Sequence, residues 1–159
     1  MKLNTIWKFI ISFAAVIAAG ALGSIFTFNS IPMWYDGLNK TVISPPNWVF
    51  GPVWTLLYIL MAVAAFLVWK NNHKKEKVKE AMTLFFSQLV LNALWSILFF
   101  GGHLMFTAFV EILFLLALII MTTIWFFRVS KLAGWMMVPY VVWVSFAAVL
   151  NFVTWYANR

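Results

Sequence analysis

Apolar residues run almost without interruption through five windows of the chain, at about residues 6–26, 49–69, 81–100, 104–127 and 132–156, with short polar breaks between them. A helix needs about 20 such residues to cross the hydrocarbon of a bilayer. The pattern therefore predicts an all-α fold, a bundle of five transmembrane helices forming a single domain over residues 1–159. Polar residues inside two of the windows recur at helical spacing. Gln88, Asn92, Trp95 and Phe99 share one stripe on the third span, and Tyr140, Trp143, Ala147, Asn151 and Thr154 share one on the fifth. Amides are costly in hydrocarbon unless partnered, so both stripes are expected to face the bundle interior. There they either bond helix to helix or line a cavity. The mixture of amides with tryptophan on two separate spans favours a cavity for a flat or polycyclic apolar ligand.

The longest polar break points the same way. Between the first two spans the chain carries Trp34, Tyr35, the Pro45-Pro46 pair and Trp48, and then Pro52 and Trp54. Prolines restrict the backbone and tryptophans supply large apolar faces, so this connector reads as a structured lid rather than a slack linker. The expected lid residues are Trp34, Pro45, Pro46 and Trp48.

Composition agrees with the pattern. The chain is 65% hydrophobic and 9% charged, against about half and about a quarter for soluble domains, which makes it an integral membrane protein in contact with lipid. Of its 11 basic residues, nine (Lys2, Lys8, Lys70, Lys74, Lys75, Lys77, Lys79, Arg128 and Lys131) fall on one side of the predicted topology, and Lys40 and Arg159 on the other. That bias places the N-terminus in the cytoplasm and the lid on the opposite face, with a bacterial cell membrane as the expected host. It accounts for the net charge of +7 without nucleic acid. The first span is read as a retained helix rather than a cleaved signal, because its apolar run is of spanning length.

The absence of cysteine excludes thiol catalysis and thiolate metal sites. His73 and His103 fall on opposite faces and cannot share a metal. Asp36 and His103 share a face but no serine motif accompanies them, so a hydrolytic triad is not expected. Glu111, about two turns into the fourth span, reads either as a helix–helix contact or as a functional ionisable group. Ala15, Ala19 and Gly23 form a small-residue stripe suited to close packing within the chain or between copies. Trp7, Trp69, Trp125, Trp135 and Trp155 lie at span ends, as interfacial anchors do, whereas Trp54, Trp95 and Trp143 lie within spans on the lid side. Five spans with no detectable repeat argue against a transporter.

Trp34, Tyr35, Leu38, Lys40, Pro45 and Pro46, followed by Gly51-Pro52-Val53-Trp54 and Leu57-Tyr58, resemble the signature of the TspO/MBR family of translocator and tryptophan-rich sensory proteins. Blocks at 92–100, 129–132 and 139–151 agree with it in order, and the resemblance covers about residues 10–156. It implies a five-helix bundle, often a homodimer, whose pocket beneath the first loop takes porphyrins and other haem-type tetrapyrroles, sterols or benzodiazepine-type ligands. By motif position the implied ligand-binding residues are Tyr35, Trp54, Asn92, Trp95, Trp143, Ala147 and Leu150. It also implies a choice between binding without turnover, which is the expectation, and two alternatives. One is light-dependent porphyrin breakdown, for which Trp54 and Trp143 are the candidate redox residues; the other is transport of the ligand. Two departures stand out: residues 40–43 read Lys-Thr-Val-Ile where many members have Lys-Pro-Ser-Trp, and Glu111 stands where the family usually has Asp. Phe152 stands where animal members carry the tyrosine of the family's proposed cholesterol motif; Val153, Tyr156 and Arg159 fit that loose pattern in a shifted register, and Tyr156 with Arg159 is equally explained as an interfacial anchor, so no sterol site is read from it.

Overall fold

A computed structural model describes residues 4–40, 42–71, 73 and 75–159; Lys2, Thr41 and Lys74, used above for topology and for the lid, lie outside these. The described chain forms five long helices: α1 (Thr5–Met33), α2 (Asn47–Trp69), α3 (Lys75–Ser96), α4 (Met105–Val129) and α5 (Lys131–Ala157). All five are long and apolar enough to cross a membrane. Two of them outrun their apolar windows. α1 continues past residue 26 to Met33, because Phe26, Thr27 and Ile31 still find partners in the bundle and Ser30 Oγ donates a 2.7 Å hydrogen bond to the Phe100 carbonyl. α3 begins at Lys75, six residues before its apolar run, with a charged first turn that needs no hydrocarbon.

The helices pack in a ring, α1 on α2, α2 on α5, α5 on α4, α4 on α3 and α3 back on α1. Inside the ring lies one apolar core containing Met61, Phe85, Ile119, Phe126, Met137 and Tyr140, all fully buried. The outer surface is also apolar, with Leu56, Val90, Phe114, Ile124 and Val142 exposed, as a surface bathed in lipid requires. α4 and α5 form a hairpin joined by the single extended residue Ser130, which ends one helix and accepts the Ala133 N–H to cap the next.

Glycines set the spacing of α1. A Cβ on Gly20 would meet the Tyr58 ring at 2.7 Å, and one on Gly23 would meet Ser96 Oγ at 2.9 Å. Ala19 and Gly23 are buried and Ala15 packs on the core, so the small-residue stripe of α1 serves packing within the chain. Lys8, Lys70, Lys75, Lys77, Lys79, Arg128 and Lys131 lie at the end of the bundle where α1, α3 and α5 begin; Asp36, Lys40 and Arg159 lie at the other.

Candidate functional site

The lid-side half of the ring is hollow. A cavity of about 700 Å³ lies between α1, α2, α5 and the end of α3, within the range of small-molecule sites, and α4 contributes nothing to its wall. The ring geometry explains its place. α1 and α5 are not neighbours, so the residues between them are spanned only by side chains from α2 and by the aromatic end of α3.

That end is unusual. After Ser96 the helix widens into a π-turn, Ile97–Gly101, a local distortion often found at functional sites. The turn brings Phe99 and Phe100 to the wall together. Phe99 stacks on Trp95 with ring centroids 5.1 Å apart, and Tyr35 joins both phenylalanines at 6.3 and 6.0 Å.

Of the sequence-predicted residues, Tyr35, Trp54, Trp95, Trp143, Ala147 and Leu150 all reach the cavity wall. Asn92 does not. It lies behind Tyr58, 4% exposed, where its Oδ1 accepts from the Tyr58 hydroxyl at 3.1 Å and its Nδ2 donates to the Tyr140 hydroxyl at 2.8 Å. Tyr140 in turn donates to Gln88 Oε1 at 3.0 Å. The amide is thus saturated by phenols on α2 and α5, and the lower part of its stripe ties helices together. Asn151 does both jobs: it reaches the wall, yet its Oδ1 accepts the Trp95 indole N–H at 3.0 Å and its Nδ2 donates to the Met105 carbonyl at 2.9 Å.

The wall therefore offers few free polar groups. Ser24, Thr27 and Thr55 donate to carbonyls of their own helices. The indole N–H groups of Trp54 and Trp143 have no hydrogen-bond partner among the described residues. A ligand here would meet mainly aromatic faces, with the indole N–H groups of Trp54 and Trp143 among the donors left on the wall. Trp54 lies 5.4 Å from Tyr58 and 6.3 Å from Tyr140, ring to ring, and Trp143 lies 6.2 Å from Phe50.

The lid differs from its expected form. Tyr35, in a short 3₁₀ turn (Tyr35–Gly37), is its buried anchor. Burial pushes the Tyr35 phenol up, a hydrogen bond with Ser44 opposes this, and the charge of Asp36 adds to it. Trp34 turns away from the cavity and stacks on His103 at 4.2 Å, with Phe99 against its edge. Pro45 and Pro46 are off the wall as well, Pro46 being the extended residue from which α2 starts. Trp48 lies in the first turn of α2 at the cavity rim, 75% exposed. The prolines stiffen the entry to α2, and Tyr35, Asn47 and Phe50 supply the lid-side wall. Two clasps hold the connector. Asp36 accepts from Lys40 and Asn47, which lowers its carboxyl below the usual range. Asn39 and Asn158 bond reciprocally, the Asn39 amide donating to Asn158 Oδ1 at 2.9 Å and Asn158 Nδ2 to the Asn39 carbonyl at 3.3 Å.

Sequence reasoning missed the α1 wall and the gap beside it. Ile17, Ala21, Ser24 and Phe28 on α1, and Gly51, Thr55 and Ile59 on α2, line the cavity and are also exposed on the outer surface, so the chamber opens sideways between these helices. The available signal was Gly20, which lets Tyr58 approach α1. His73 and His103 sit at opposite ends of the bundle, and Phe152 and Tyr156 face outward, with the Arg159 guanidinium 3.9 Å from the Tyr156 ring centre.

Residues 12–156 match the sequence pattern described as the TspO/MBR family. The chain is 41% identical over 153 residues to the tryptophan-rich protein TspO of Archaeoglobus fulgidus, covering 96% of this chain and 98% of that one. It is 37% identical over 139 residues to the human translocator protein, covering 87% and 82%, and 36% identical over 151 residues to the tryptophan-rich sensory protein of Cereibacter sphaeroides, covering 94% and 91%.

Proposed function

The chain belongs to the TspO/MBR family of integral membrane proteins, and from that premise we propose that it is a membrane receptor or sensor that binds a porphyrin or a related flat polycyclic ligand in the lid-side chamber. One observation carries the reading. Trp54 and Trp143, on different helices, line the same cavity of about 700 Å³, and neither indole N–H has a hydrogen-bond partner among the described residues. Stacked aromatic faces hold a planar ring system, and the two donors would orient a carbonyl or carboxylate at its edge. Of the relatives' names, tryptophan-rich sensory protein agrees with a sensing role.

Binding without turnover is the simplest use of such walls. Photo-oxidative porphyrin breakdown is the second reading, favoured by the Trp54–Tyr58–Tyr140 ring contacts, which would let an electron vacancy on Trp54 be shared. Transport across the membrane is less favoured, because the core below the chamber is closed and the opening faces lipid. The excess of basic residues where α1, α3 and α5 begin supports an N-terminus on the cytoplasmic side; a bacterial cell membrane and a homodimer are part of the same proposal. Protoporphyrin IX added to the detergent-solubilised protein should quench tryptophan fluorescence saturably. Illumination of the complex then separates the readings: a stable porphyrin spectrum supports binding alone, and a decay that requires Trp54 or Trp143 supports turnover.

A further inference from the structure

We infer that the tip of the connector, Val42 and Ile43, is a membrane-binding element that dips into the lid-side leaflet of the bilayer. The two residues form a turn in which Val42 is fully exposed and Ile43 is 45% exposed. Turns in water are built mostly from Gly, Asn, Asp, Ser and Pro, so two consecutive branched apolar side chains at an exposed tip call for an apolar partner. The pair lies within the stretch 40–43, which departs from the family's usual Lys-Pro-Ser-Trp. The described polar side chains of the same loop point the other way. Lys40 turns its ammonium onto Asp36 and the Tyr35 ring, Ser44 bonds to Tyr35, and Asn39 bonds to Asn158. The loop is thus inside out for water, with polar groups satisfied against the bundle and apolar ones facing away.

Its depth follows from the tryptophans. Trp135 and Trp155 on α5 are 20 residues apart, about 30 Å of helix, and Trp48 and Trp69 on α2 are 21 apart, about 32 Å. Both spacings match a hydrocarbon core of about 30 Å with indole rings at its two boundaries. Trp48 and Trp155 then mark the lid-side boundary, and the loop is tied down beside each of them. Asn47, next to Trp48, donates to Asp36 at 2.8 Å, and Asn158, three residues beyond Trp155, holds Asn39. Val42 is three residues from Asn39, about 10 Å of chain at full stretch, so the headgroup layer and the first part of the hydrocarbon are within its reach.

The helix ends that carry the connector are apolar on the outside too, with Phe28 and Met33 on α1 and Trp48 on α2 largely exposed. The tip therefore extends the surface that the bundle already presents to lipid. Because Lys40 is paired with Asp36, the attraction is apolar and needs no particular headgroup. The membrane gives the flap a third hold beside its two clasps, and lifting the lid means drawing Val42 and Ile43 out of the leaflet. The contact involves no ligand and so stands apart from the porphyrin reading.

The chain contains no cysteine, so Val42→Cys and Ile43→Cys each place a single spin label in the full-length protein. In phosphatidylcholine vesicles, collisions of the label with oxygen, which concentrates in lipid, and with a water-soluble nickel chelate report its depth. Phe114→Cys, on the outer face of α4, supplies the lipid reference, and Glu76→Cys, in the charged first turn of α3, the aqueous one. The labels at 42 and 43 should favour oxygen over nickel several-fold more than the label of Glu76→Cys does. Nickel access equal to that reference would overturn the inference. So would a label shielded from both reagents, which would assign the tip to a contact between copies of the chain. Adding phosphatidylglycerol or raising the salt should leave the depth unchanged, whereas a depth that needs anionic lipid or is lost in salt would replace apolar insertion by charge attraction and contradict the proposal.

Discussion

Asn92 presents its amide to two phenols, Tyr58 on α2 and Tyr140 on α5, and so joins three helices from behind the cavity wall. Its stripe was legible in the sequence because helical spacing fixes which residues share a face. Which of them touch the hollow was not legible, since a shift of three residues turns the side chain by about 60°, and that separates a residue packed against Tyr58 from Trp95 on the wall. Asn92→Ala leaves both phenols short of a partner. It is expected to cost about 1–3 kcal/mol by the usual penalty for a buried unpaired group, and nearer 0.6 kcal/mol if membrane pairs set the scale. Thermal melts in detergent should show the loss, and the effect on ligand affinity should be smaller than for a change at Trp143. The placement of the candidate roof residues off the cavity wall has a related reason. Trp34, Pro45 and Pro46 advertise stiffness and bulk, but direction comes from Tyr35, whose burial among Phe99 and Phe100 turns Trp34 outward onto His103.

Among the elements, α1 and the connector carry the information that hydropathy conceals. An apolar window measures how much helix lies in hydrocarbon, so it stopped near residue 26 although α1 reaches Met33, and it began α3 at 81 although the charged turn from Lys75 is helical. The glycines of α1 acquire meaning only once α2 and α3 are placed against them. Gly20→Ala drives a methyl group into the Tyr58 ring. The change should cost about 1–3 kcal/mol through overpacking and loosen the Tyr58–Asn92 hydrogen bond, which thermal melts and a tyrosine ultraviolet resonance Raman shift would detect. The connector should behave as a clasped flap. Asn158→Ala removes the reciprocal pair with Asn39 and is expected to speed ligand release in stopped-flow measurements while leaving the melting temperature nearly unchanged. Asp36 has its folded-state value lowered by Lys40 and Asn47, so its contribution is present above the ordinary carboxylate range and disappears as the pH falls through that lowered value. Acid should therefore speed release in the wild type and have less effect in Asp36→Asn.

Across the whole molecule, the ring order of the helices decides where a ligand can sit. Five spans, the membrane setting and the charge asymmetry followed from composition and pattern, and the TspO/MBR resemblance pointed to the lid-side tryptophans. The sideways opening between α1 and α2 could not be read in advance, because every lipid-facing position of a membrane helix is as apolar as a cavity wall. The chamber's chemistry is a collective property: the hydroxyls of Ser24, Thr27 and Thr55 are turned into their own helices, the amides of Asn47 and Asn151 are spent on neighbours, and aromatic faces with the indole donors of Trp54 and Trp143 remain. The most direct test is a titration of the purified protein with protoporphyrin IX, comparing dissociation constants for the wild type, Trp54→Phe and Trp143→Phe. Saturable binding weakened at least about tenfold by each change, a loss of about 1.4 kcal/mol, is the predicted result. Binding of unchanged affinity in both variants would contradict it.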